Sequence, residues 1–157
     1  QTDVVALVSN LLDEAGITPE VLEIELTESL SMADPARSVV VMRELRALGV
    51  TLSIDDFGTG YSSFAYLNRL PIDKLKIDKS FIDDMAHSAE SLAIVGAMIA
   101  MAHRLGLTVI AEGVETADQV AALRRAECDQ IQGYFYSKPL RAADCTAWIR
   151  ERMEQAA

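Results

Sequence analysis

V-L-E-I-E-L-T at residues 21–27, then D-P-A-R-S-V-V-V-M-R-E-L-R-A-L at 34–48 and Gly49, reads as one strand and one helix in succession. The alternation over 21–27 fits a strand, Pro35 sits where a first helical turn accepts proline, and Gly49 stands where a helix stops. Upstream, Val4, Val5, Leu7, Val8, Leu11 and Leu12 recur at helical spacing before a stop at Gly16. Downstream the cycle repeats. Strand Thr51–Asp55 precedes a short helix Ser62–Asn68, and strand Lys74–Asp78 precedes helix Ser88–Leu105, stopped by Gly106. Strand Thr108–Ala111 precedes helix Thr116–Arg125, and strand Asp129–Gln132 precedes helix Ala142–Met153.

Strands alternating with helices imply a parallel sheet with helices outside it, because a parallel crossover needs a long connection. The rival architecture, an open nucleotide-binding sheet, calls for a G-x-G-x-x-G after the first strand or a P-loop turn, and neither is present. The expected fold is therefore α/β, a TIM-like (β/α)8 barrel of which about five βα units are present. A complete barrel takes about 250 residues and eight strands, so the 157 residues are expected to lack the N-terminal strands. Opening with Gln1 inside a helix, with no signal or transit segment, the chain reads as part of a longer protein.

Half of the residues are apolar, which supplies a core and excludes a disordered chain. The longest uncharged apolar run, Leu92–Ala102, suits a buried helix and is too short to span a bilayer. With 14 basic against 24 acidic side chains, the net charge of −10 argues against a partner held through nucleic-acid phosphates, so no nucleic-acid polymer is expected. Cys128 and Cys145 have neither zinc nor disulfide-framework spacing and point to a reducing cytosol.

The decisive signal is positional. Every strand delivers a charged or amide side chain at its C-terminal end: Glu25, Asp55-Asp56, Lys76 with Asp78, Glu112 and Gln132. That edge is the active-site face of barrels and open α/β sheets alike, so the ends are expected to converge. Adjacent carboxylates at Asp55 and Asp56 call for a compensating cation. Oxygen donors without His or Cys suit Mg²⁺ or Mn²⁺; His87 and His103 fall on helices, away from the strand ends. Two carboxylate-bridged ions about 3.5–4 Å apart can hydrolyse a phosphodiester, with Lys76 orienting the water. The D-F-G at 56–58 lacks the partner motifs of a kinase, and that reading is discarded.

E-L-T-E-S at 25–29, D-D-F-G-T-G-Y-S-S-F at 55–64, L-P-I-D-K-L-K-I-D-K-S-F-I at 70–82, A-E-G-V-E-T at 111–116 and Q-G-Y-F-Y-S-K-P-L at 132–140 stand in that order. With them the chain resembles the bacterial EAL-domain cyclic-di-GMP phosphodiesterases over essentially all its length. The resemblance implies hydrolysis of cyclic-di-GMP to linear pGpG with Mg²⁺ or Mn²⁺, two ions in the complete domain. Glu25 resembles a ligand of the first ion, Asp55 the carboxylate shared by both, and Asp56 and Glu112 ligands of the second. Lys76 and Gln132 correspond to residues that position the water, and Glu28 to the acid that pins the Asp-Phe-Gly loop. Asp78 and Glu115 correspond to supporting residues, with helix capping as their ordinary alternative. The loop Asp55–Phe64 resembles the segment that couples homodimerisation to activity. The family's Glu-Ala-Leu segment and the Asn-bearing strand after it have no counterpart here. The resemblance implies upstream sensor or diguanylate-cyclase domains and a cytoplasmic setting, with the parent either free or membrane-tethered. The alternative is an inactive EAL-like module that binds cyclic-di-GMP or a protein partner.

Overall fold

A computed structural model of the chain describes residues 3–27, 34–58, 67–85 and 88–156. Among these residues five strands, β1 (Glu23–Thr27), β2 (Thr51–Phe57), β3 (Lys74–Ile77), β4 (Thr108–Ala111) and β5 (Gln130–Ile131), form one sheet in the order of the sequence. Each neighbouring pair is parallel, from Glu23 beside Thr51 to Ala111 beside Ile131. Sequential order with parallel register throughout is that of a contiguous stretch of a (β/α)8 barrel wall, and β1 and β5 are its edges.

The helices are α1 (Val4–Ala15), α2 (Pro35–Leu48), α3 (Lys79–Met85), α4 (Ala89–Arg104), α5 (Ala117–Arg125) and α6 (Ala142–Ala156). Their ends follow local chemistry. Asp3, Asp34, Ser88 and Thr116 each accept first-turn N–H groups, and Gly16 and Gly49 close α1 and α2 in left-handed conformations. Several expected bounds shift. Residues Pro19–Val21 form a 3-10 turn, so β1 starts at Glu23, β2 runs on to Phe57, and β5 holds two residues instead of four. Helix α3 follows β3 directly, where the sequence reading placed no helix. Most of the expected helix Ser62–Asn68 lies outside the described residues, as does His87.

Strand alternation gives the sheet two unlike faces. Leu52, Ile54, Leu75, Ile77, Val109 and Ala111 point to the helices and join Met42, Leu45, Ile82, Val95, Ile99 and Leu123 in one core. The opposite face carries Glu23, Glu25, Ser53, Asp55, Lys74 and Lys76. Among the described residues, no helix is long and apolar enough to cross a membrane.

Candidate active site

At the C-terminal edge of the sheet, on its polar face, Lys76 Nζ lies 2.7 Å from Glu25 Oε1, 3.1 Å from Asp55 Oδ1 and 2.8 Å from Glu112 Oε1. The partners come from β1, β2 and the residue after β4, so it is the parallel register that assembles them. The ammonium lies beneath its partners: its side chain is 4% exposed, against 48%, 23% and 18% for Glu25, Asp55 and Glu112. Burial works to lower the Lys76 pKa, but the hydrogen bonds it donates to Glu112, Glu25 and Asp55 outweigh it and hold the group well above the ordinary lysine value. Burial pushes Glu112 above the ordinary glutamate value, with Lys76 opposing.

Asp55 and Asp56 are separated by a bulge. Ile54 pairs with Leu75 and Phe57 with Ile77, so three steps along β2 face two along β3. Asp56 absorbs the extra residue at φ +55°, a left-handed conformation that Asp tolerates better than most residues. The bulge returns Phe57 to the core, leaves Asp56 exposed at the rim, and lets Asp56 N–H donate to Asp55 Oδ1 at 3.0 Å. Gly58 follows at φ +98°, where a Cβ would come within 2.7 Å of the Phe81 ring.

Gln132 is exposed beside the cluster's strand ends, with its backbone locked. Its N–H donates to Ala111 O at 2.9 Å, its carbonyl accepts from Val114 N–H at 3.1 Å, and Phe135 N–H donates to Val114 O at 2.9 Å. The two turns approach so closely that a Cβ on Gly133 would stand 2.1 Å from Val114 O. Asp78 and Glu115 have partners of their own. Asp78 Oδ1 accepts from Ser80 N–H and Ser80 O–H in α3, and the hydroxyl bond holds its pKa below the ordinary aspartate value. Glu115 pairs with Lys79 at 2.5 Å. Glu28 and residues 59–64 of the loop proposed for dimerisation lie outside the described residues. His103 binds Asp129 at 2.8 Å, and Asp129 also accepts from Val109 N–H near the start of β4.

A second charged pair went unnoticed in the sequence. Lys74 Nζ lies 2.7 Å from Glu23 Oε2, one layer below the cluster on the same face. Glu23 Oε1 and the buried Ser53 Oγ have no hydrogen-bond partner among the described residues. The signal was available, since Lys74 and Glu23 precede Lys76 and Glu25 by two positions, one strand period. Gln119 also escaped notice. It accepts from Glu115 and Thr116 N–H and donates to Ile82 O, tying the start of α5 to α3.

The donors Glu25, Asp55 and Glu112 are carboxylates only, which suits a hard divalent ion, and their meeting on one ammonium shows that they can surround a cation. As placed, no group of three or more His, Cys, Asp or Glu among the described residues is spaced to hold an ion by itself.

A family model described as EAL domain matches residues 1–139. The cyclic di-GMP phosphodiesterase NbdA of Pseudomonas aeruginosa is 49% identical over 143 residues, covering 91% of this chain and 18% of that protein. The solved PaMucR phosphodiesterase in complex with c-di-GMP superposes with a TM-score of 0.88 at 43% identity, covering 92% of this chain and 59% of that one. Klebsiella pneumoniae BlrP1 in a manganese/cy-diGMP complex gives a TM-score of 0.82 at 35% identity, covering 88% of this chain and 36% of that one. The chain thus spans less than two thirds of each of these relatives, and it belongs to the EAL domain family.

Proposed function

We propose that the chain is the C-terminal portion of a phosphodiesterase domain that hydrolyses cyclic-di-GMP to linear pGpG with two divalent ions, Mg²⁺ or Mn²⁺. The observation that carries this reading is the meeting of Glu25, Asp55 and Glu112 around one cationic centre at the C-terminal sheet edge. The c-di-GMP in the PaMucR complex and the manganese in the BlrP1 complex support it. In this reading Glu25 and Asp55 hold the first ion, and Asp55, Asp56 and Glu112 the second. When bound, the ions polarise the phosphate, activate water and stabilise the leaving oxygen.

The chain's own residues supply placement. Glu25, Asp55 and Glu112 gather negative charge opposite the scissile phosphate, and the β2 bulge holds Asp56 at the rim beside them. Lys76 and Gln132 orient the attacking water, and Glu28 pins the loop that follows Asp56. The position of β1 and β5 at the two ends of the sheet among the described residues, with Val4, Leu7 and Leu11 exposed on α1 and Ile149 and Met153 exposed on α6, fits a wall continued by further strands. Homodimerisation through the Asp55–Phe64 loop, upstream sensor or cyclase domains and a cytoplasmic setting complete the proposal.

The test is hydrolysis. The parent domain should release pGpG with Mg²⁺ or Mn²⁺, whereas the 157-residue chain alone should show no turnover at ordinary enzyme concentrations. A parent domain inactive with either ion would falsify the catalytic assignment, and retained cyclic-di-GMP binding would then make it an effector module.

A further inference from the structure

An ammonium has three N–H donors, and Glu25, Asp55 and Glu112 each stand within hydrogen-bond distance of Lys76 Nζ. With its donors engaged and its side chain 4% exposed, Lys76 has none free for a water at the open side. One positive charge also offsets only one of three carboxylates, and like charges drawn this close repel one another. The donor set suits a divalent ion, yet as placed it is spaced around an ammonium.

From this geometry we propose that Lys76 is the resident counter-ion of the site: without a divalent ion it holds Glu25, Asp55 and Glu112 together, and an entering ion takes carboxylate oxygens from it, releasing N–H donors on its Nζ. The inference rests on the divalent-ion reading above and deepens it. Lys76 changes partner as the ion arrives and becomes able to hold a water only then. No covalent bond changes; ammonium–carboxylate hydrogen bonds are exchanged for ion–carboxylate contacts. Because two cations compete for the same oxygens and repel each other, the lysine weakens ion binding while it keeps the metal-free site assembled.

Mn²⁺ binding to the parent domain, followed by calorimetry at low ionic strength, tests this against Lys76→Met and Lys76→Arg. Lys76→Met should bind Mn²⁺ about tenfold tighter, the scale expected from removing a neighbouring positive charge. Its metal-free melting temperature should fall, and Mn²⁺ should raise that temperature by more than it does for the unmutated parent domain. Lys76→Arg, which keeps the charge, should bind no tighter. Equal or weaker binding by a folded Lys76→Met domain overturns the proposal. If that variant does not fold, Mg²⁺ titration of the unmutated parent domain with isotope-labelled lysine decides instead. A Lys76 Nζ resonance protected from exchange, which shifts and loses protection as Mg²⁺ binds, supports the exchange of partners, and one unmoved at saturation overturns it. An unmutated parent domain that binds neither ion at millimolar concentrations overturns the divalent-ion reading itself, and this inference with it.

Discussion

Two lysines on β3, two residues apart and on the same face, live in different electrostatic surroundings. Among the described residues, Lys74 meets one carboxylate, Glu23, at 2.7 Å, whereas Lys76 meets three. In the lower layer positive and negative charge balance, as in an ion pair that fixes how strands lie across one another. In the upper layer negative charge is in excess, and the excess is open to solvent through Glu25 and Asp55. An arrangement with that imbalance is poorly explained by stability alone, because like charges gathered together destabilise the folded state. In the function proposed above, the lower layer serves structure and the upper one a further cation.

The sharpest way to break the contrast is Asp55→Asn in the parent domain. Cyclic-di-GMP turnover should fall by more than roughly a hundredfold, since loss of even an outer partner of a metal ligand costs tenfold to a hundredfold. The denaturation midpoint should barely move. Lys74→Met should do the reverse, lowering unfolding free energy by about 1–2 kcal/mol because Glu23 is left half-buried without its partner, while turnover stays within about twofold. Adding Glu23→Leu to Lys74→Met should restore most of that loss in a urea titration, as removing both partners of a pair is tolerated better than removing one; failure to recover would mean that the lower layer does more than hold strands. The smallest effect belongs to Asp78, at the rim. Its depressed pKa means that its charge adds stability above the ordinary aspartate range, lost as the pH falls through the lower folded value. Asp78→Ala should therefore cost up to about 1 kcal/mol at neutral pH, with the difference narrowing in acid-unfolding curves.

The parallel βα order and the strand-end acids were legible because period-2 alternation and glycine stops are local signals. The short α3 was not, since its seven residues begin immediately after β3 and display too little periodicity to separate from the strand. Nor was the bulge. Asp55-Asp56 reads as an adjacent pair, and only the register against Leu75 and Ile77 reveals the extra residue that keeps Phe57 in the core. The Glu23–Lys74 pair joins positions on non-adjacent strands, so its existence depends on sheet register that no short window contains. For Lys76 the sequence supplied the position. That all three of its donors face carboxylates is a property of three strand ends together.

The close approach of Val114 to Gly133 has a consequence for the order of the site's mouth. Backbone bonds from Val114 to Gln132 and Phe135 tie the turn after β4 to the turn after β5, at a distance that leaves no room for a side chain at position 133. Neither turn can open while the other keeps its bonds, so the two form a single cooperative unit of local unfolding. Amide protons at Val114 and Phe135 would then exchange through one shared opening event. Glu112 at one end of the lock and Gln132 at the other would be presented or withdrawn together, so that the rim has two discrete states, assembled and open, in place of a graded looseness.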